Sequence, residues 1–297
     1  MDFVAFNTLQ ALADVVVDTR DVFPAPLYDA TRAVVDPSAW RRPDGAPLTT
    51  VFVKTDLAHA FVRDVMPHVA VGTRIVVILG AADLSPDPGT LAALVSDPRV
   101  ARVLATNVPL DHALASAVVP LPIGFPEPDR PNGPQSLYKS LYASVYGPGA
   151  PSIRHTVEAK RGVVWVPPMR TTTPFRARLA AALGTDGEQQ PFELPEYLAR
   201  LAAGRAVLVP RGNGLDVHRI YEAILVGTVP VYVGDRVPSI VGALGLPWVP
   251  FVAVLERGAA ALEAPSVETC VRILTRAHEW LRTDHVRDLV TRVSTGH

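Results

Sequence analysis

The chain has 297 residues, of which 48% are hydrophobic and 19% charged, and its net charge is −1. Apolar content that high with so little net charge excludes a largely disordered chain, and the lack of positive excess argues against a general nucleic-acid binder. The length exceeds the ~100–150 residues typical of one domain, so two are expected.

Lys54, Lys139 and Lys160 are the only lysines, and every other basic side chain apart from histidine is arginine. Residue type alone therefore singles out no arginine. Cys270 stands alone, so no internal disulfide is expected. The start, MDFVAFNTLQALADVVVD, carries Asp2 and Asp14 and lacks the basic and apolar regions of a signal peptide. No run of ~18 uncharged apolar residues occurs, so no membrane span is expected, and a cytoplasmic protein is the default.

In chain order, β-branched runs predict strands at 14–17, 50–53, 74–79, 100–104 and 118–121, with helical patterns at 57–66 and 90–94. The segment from Phe125 to Ala159 is rich in Pro, Gly, Ser and Tyr, and reads as the connection between two units, 1–155 and 156–297. Strands follow at 163–166, 206–209 and 229–233, with helices at 175–183, 194–202, 217–226 and 237–244. One or two helices fill 266–294, where Cys270, Ile273, Leu274, Ala277 and Leu281 recur at helical spacing. Alternating strands and helices predict an α/β fold, two α/β domains with parallel sheets.

The run RAVLVPRGNGLDVHRIYEAILVGTVPVYVGD, residues 205–235, carries the most chemistry. It reads as strand, glycine loop, helix, glycine stop and strand. Asp216 is placed to cap the helix and Gly227 to end it in a left-handed turn. Val217, Ile220, Tyr221, Ala223 and Ile224 share one face, which leaves His218, Arg219 and Glu222 looking outward on the other. The loop Arg211, Gly212, Asn213 and Gly214 precedes the helix, and glycine amides with an arginine at a helix N-terminus suit a phosphate. Glu222 can accept hydrogen bonds from ribose hydroxyls. The bland alternative is a surface helix with an Arg219–Glu222 pair and an ordinary turn. Val217 stands where a dinucleotide fingerprint needs its third glycine, so that motif is absent.

The pattern V-P-R-G-N-G-x-D-x-x-R-x-x-E-A-I-x-x-G-T-V-P-V resembles the signature of exostosin-like glycosyltransferases. Its tail, GTVPVYVG, is similar to the matching stretch of α1,3-fucosyltransferases. The resemblance spans roughly 30 residues and implies a GT-B-type fold: two Rossmann-like domains facing a cleft, with C-terminal helices. It gives Arg211, Arg219 and Glu222 donor-nucleotide roles.

A weaker likeness, to viral and algal members of that group, runs through VFVKTDLAHAF, RIVVILGAAD, ATNVPLDH and VVPLPIGF. It marks Lys54, Thr55, Asp56, Asp83, Asn107, His112, Pro122, Ile123 and Gly124, each at or after a predicted strand's carboxyl end, where open parallel sheets bind ligands. In the second unit, Arg176 is the first choice for a further phosphate contact, ahead of Arg170 and Arg178.

The resemblance implies transfer of a sugar from a nucleotide-sugar donor, UDP-linked first and GDP-linked second, to a glycan or other hydroxyl acceptor. Inversion is expected, with a base in the first unit: Asp56, then Asp83 and His112. Lys54, Thr55 and Asn107 would line the acceptor side. No two aspartates lie two residues apart, so a D-x-D metal motif is missing and a metal-independent reaction is expected, without a resident cofactor. No P-loop, H-E-x-x-H or G-x-S-x-G occurs. Two rivals are a non-catalytic nucleotide-sugar-binding protein on a decayed transferase fold and a sugar-nucleotide epimerase.

Overall fold

The computed structural model describes residues 3–18, 50–69, 73–126, 133–169, 173–185 and 192–295. Its fold is α/β, with two separate parallel sheets. The first runs in the order β1 (Val15–Val17), β2 (Thr50–Lys54), β3 (Ile75–Gly80), β4 (Val100–Ala105) and β5 (Val118–Pro120). The second runs β6 (Arg161–Trp165), β7 (Gly204–Pro210), β8 (Val229–Gly234) and β9 (Trp248–Pro250). Every pairing is parallel and joins strands consecutive in the sequence. Each sheet therefore has one carboxyl edge, where its connecting loops gather.

The central strands are buried on both faces, which is why their sequences are unbroken apolar runs. In the first sheet Val51, Val53 and Val77 face the helical stretch at 58–69 and Leu91 and Leu94. Phe52, Val76 and Ile78 point the other way, towards Val4 and Leu9. In the second sheet Val207 and Val209 face one helical layer and Leu208 the other.

The helices used below are α1 (Phe6–Ala11), α2 (Pro88–Ser96), α3 (Gln135–Tyr146), α4 (Ile153–Glu158), α5 (Pro174–Ala182), α6 (Leu194–Ala203), α7 (His218–Leu225), α8 (Ser239–Leu244), α9 (Phe251–Arg257), α10 (Val267–Ala277) and α11 (Thr283–Thr295). None of the described helices is long and apolar enough to cross a membrane. Asp87 caps α2, Thr173 caps α5, and Ser266 caps α10, each accepting from a backbone amide in the first turn. Lys160 donates to the carbonyls of Ala202 and Val226 and to Thr228, tying the carboxyl ends of α6 and α7 together. Gly227 ends α7 at φ 69°.

Three expectations need correction. The segment read as a connection contains α3 and α4, because Tyr138 and Tyr142 form a buried stripe against the second unit's core. The packing also does not divide at residue 155. Helices α3 and α4 lie on the second sheet, while α11 returns to the first, where Val286 and Val290 join Phe52, Val76 and Leu104. The second sheet has a further strand, β9, too short to stand out as a hydrophobic run.

The two units are joined by main-chain bonds. Leu110 N–H donates to the Val237 carbonyl at 2.6 Å, and Ser239 N–H to the Val108 carbonyl at 2.7 Å. Pro109 and Pro238 form an antiparallel bridge between them.

Candidate functional site

The carboxyl edges of the two sheets meet around a cavity of about 580 Å³. The first unit supplies Asp83, just after β3, and Ile123, just after β5. The second supplies the β7–α7 loop, the first turns of α7, Arg176 of α5, and Leu194 and Tyr197 of α6.

The loops at this edge are held in uncommon conformations. Asn107, after β4, has φ 58° and is almost wholly buried. Its side chain donates to the Ala82 carbonyl at 2.9 Å and accepts from Asp216 N–H at 2.7 Å. It is thus a clasp between the units. Asparagine tolerates left-handed backbone better than most residues, which suits it to this position. Ala81 shares the conformation, at φ 56°.

Asp216 does not cap α7. Val217 is the N-cap and makes no side-chain cap bond. Asp216 instead accepts from Ile123 N–H at 2.9 Å and from the Tyr221 hydroxyl at 2.5 Å. Its Oδ1 is buried with no hydrogen-bond partner among the described residues, and burial pushes the carboxyl up to about 7. Its Oδ2 serves the joint between the units, and the residue also lines the cavity.

The glycine loop has a similar purpose. The Gly212 amide donates to the Gly214 carbonyl at 3.1 Å, so it is spent inside the loop. A methyl group on Gly214 would come within 2.7 Å of the Asp83 carbonyl and 3.0 Å of the Asn107 amide oxygen. That glycine exists to let the units touch. Asn213 reaches Asp83 at 3.4 Å across the same seam.

Arg211 also departs from its expected place. Its guanidinium bonds Asp235 at 2.8 Å and lies over the Phe175 ring at 5.7 Å, and it is not on the cavity wall. The arginines on the wall are Arg176 and Arg219. Arg176 donates to the Arg211 carbonyl at 2.9 Å and rests against Gly212. Burial, and then the charge of Arg219, lower its pKa to about 10. Among the described residues neither arginine forms an ion pair. Arg170 lies outside the described residues, and Arg178 stacks over Phe251 at 5.2 Å, on another face of α5.

Glu222 does not look outward with His218 and Arg219. The structure buries it at 7% exposure, because α3 and α6 cover the face of α7 that a lone amphipathic helix would show to water. Its Oε2 accepts from the Tyr197 hydroxyl at 3.0 Å, and Arg219 Nε donates to that same hydroxyl at 3.1 Å. Burial raises the Glu222 pKa, while Arg219, His218 and the Tyr197 bond act against it. His218 Nδ1 lies 2.8 Å from the Gly124 carbonyl, which can only accept, so this nitrogen carries a proton.

Of the three base candidates, only Asp83 lines the cavity. Asp56 is paired with Lys54 at 3.2 Å and exposed. His112 Nδ1 accepts from Leu114 N–H at 3.0 Å and serves its own turn. Thr55 donates to the Gly80 carbonyl from a buried position. Lys54, Thr55, Asp56 and His112 therefore stand apart from the cavity, and Asn107 acts behind its wall.

Tyr197 and His218 were missed as site residues. Tyr197 falls in a leucine-rich helical stripe with Leu194, Leu198 and Leu201, where an aromatic reads as core. Nothing in the spacing shows where its hydroxyl goes. His218 reaches the first unit through a carbonyl 94 residues away, which no local pattern encodes. Among the described residues no cluster of three His, Cys, Asp or Glu side chains could hold a metal ion.

No family model and no curated protein matches the chain. Among solved structures it is similar to an α,α-trehalose-phosphate synthase (UDP-forming) from Burkholderia vietnamiensis, with 12% identity, a TM-score of 0.47, and coverage of 93% of this chain and 81% of that one. A likeness at that level assigns neither a substrate nor a reaction.

Proposed function

We propose that the chain is a glycosyltransferase of the GT-B type that uses a nucleotide-sugar donor, UDP-linked in first preference and GDP-linked in second. The observation that carries this reading is the cavity wall where Arg176 and Arg219 converge without an ion-pair partner among the described residues, beside buried Glu222. Two guanidiniums on one wall, one of them half-buried and its pKa lowered by burial and by the other's charge, are a standing electrostatic cost, and a diphosphate offsets it. The uncapped N-terminus of α7 adds its dipole to the same place. Glu222 accepts from the ribose diol. The sequence resemblance supports the same assignment for Arg219 and Glu222.

In the reaction, the acceptor hydroxyl loses its proton to a base as its oxygen bonds to the anomeric carbon. The bond from that carbon to the diphosphate oxygen breaks, and the leaving diphosphate takes the electron pair. Arg176 and Arg219 stabilise the charge that develops there, which gives them the largest electrostatic share of the catalysis. Asp83 is the base, since it is the one first-unit carboxylate among the expected candidates on the cavity wall. The acceptor is a glycan or another hydroxyl compound, approached by the donor with inversion.

Calorimetric titration of UDP and GDP, together with release of nucleoside diphosphate from a panel of nucleotide sugars, tests the reading. Arg219→Ala and Glu222→Ala should each weaken nucleotide binding by about 10-fold or more, the loss of a charge-assisted contact. Wild-type protein that binds neither nucleotide at millimolar concentration would refute the donor site. Binding without turnover of any sugar nucleotide would instead make the chain a non-catalytic binder.

A further inference from the structure

Glu222 has a difficulty that the donor-site reading does not resolve. A ribose diol needs a carboxylate that accepts, and a carboxyl buried to this degree prefers its proton. The groups facing it are few. Tyr138 approaches from α3, Tyr197 from α6, and His218 and Arg219 from its own helix. Among the described residues, the hydrogen bond that its carboxylate receives comes from Tyr197. A tyrosine hydroxyl has one proton to give. Here it goes to Glu222 Oε2 at 3.0 Å, and the hydroxyl oxygen in turn accepts from Arg219 Nε at 3.1 Å. Burial raises Tyr197 above the ordinary tyrosine range, so it remains a donor at neutral pH. The ring lies 6.1 Å from Trp165, and the Arg219 guanidinium stands 5.8 Å from its face.

We propose that Tyr197 is the positioning residue of the nucleotide site, its hydroxyl holding the Glu222 carboxylate as a ready acceptor for the ribose and aiming the Arg219 guanidinium along the same wall. The inference rests on the donor-site reading above. Tyr197 touches no reacting atom; it acts through its two neighbours. A phenylalanine there would fill the same space, leave Glu222 without its donor, and release Arg219 Nε. The carboxyl would then take up its proton at a higher pH, and nucleotide affinity would fall at a higher pH with it.

The test is calorimetric titration of UDP and GDP between about pH 5.5 and pH 9 for wild type, Tyr197→Phe and Glu222→Gln. Affinity in the wild type should decline on acidification. Tyr197→Phe should move that decline to higher pH and keep affinity within about threefold at the alkaline end. Glu222→Gln should remove the decline. A loss in Tyr197→Phe of equal size at every pH would mean a merely structural role and overturn the proposal. A carbon-13 titration of the Glu222 carboxyl in the ligand-free protein reads the same proton without nucleotide, and an unchanged midpoint in Tyr197→Phe also overturns it. If neither nucleotide binds, the donor-site reading fails, while the carbon-13 comparison still decides whether Tyr197 controls Glu222.

Discussion

Replacing Asp216 with asparagine isolates the energetics of the joint between the units. The carboxyl is 3% exposed, holds Ile123 N–H and the Tyr221 hydroxyl, and is pushed up to about 7 by burial. In the unfolded chain it would titrate near ~3.9. Between those values the folded state binds the extra proton, so stability is full below the unfolded value and is lost as pH rises through the folded one. At about 1.36 kcal/mol per unit, the loss totals about 4 kcal/mol, of which about 3 kcal/mol falls between pH 5 and pH 8. An asparagine side chain keeps a carbonyl acceptor and has no proton to exchange. Urea denaturation of both proteins at about pH 5 and about pH 8 reads the difference between their unfolding free energies at each pH. That difference should swing by about 3 kcal/mol in favour of the asparagine variant at the higher pH. A difference that is the same at both pH values would show that Asp216 is ionised throughout and refute the argument from burial.

Two further substitutions probe the frame of the site. Asn107→Ala should cost about 2–4 kcal/mol, combining a left-handed backbone with the loss of the bonds to Ala82 and Asp216, and Asn107→Gly should recover about 1 kcal/mol of it; equal melting temperatures for the two variants would contradict the backbone share. Val286→Ala should destabilise by about 1–3 kcal/mol in chemical denaturation, since Val286 is fully buried between α11 and the first sheet, and a neutral result would mean that this helix does not support that sheet.

Much of the scaffold was legible because parallel strands buried on both faces leave a plain trace. The runs at 50–53, 74–79, 100–104 and 229–233 each became a strand within one residue at either end. Helices with a proline in the first turn and a glycine just past the end, such as 194–202, were equally clear. Helix α3 was hidden because its proline- and serine-rich surroundings suggest a turn, while Tyr138 and Tyr142 gain their stability only from distant neighbours. The site was legible in its location and less so in its orientation. Arg219, Glu222 and Asp216 line the cavity, but Arg211 turns to Asp235, and Asp216 spends its Oδ2 on the other unit. Helical periodicity assumes one wet face. Helix α7 is covered on both sides, so a face that looks polar in sequence became a buried polar wall.

The two ends of the chain bear on what can be separated. Phe3 sits in the second unit's core, 5.2 Å from Phe125 and 5.6 Å from Tyr142, and its neighbour Val4 bonds Leu281 and Phe125 through the main chain. Helix α11, at the other end, closes the first sheet. Each half of the polypeptide thus carries the piece that seals the opposite half. A fragment ending at 155 would expose the apolar face of its sheet where α11 belongs, and the complementary fragment would lack the aromatic plug of Phe3 and Phe125. The units are distinct in architecture, yet each core is completed by a segment from the other half of the chain. Exchanging one of them for a homologous unit, as in building chimaeras, would have to move the crossing segments with it.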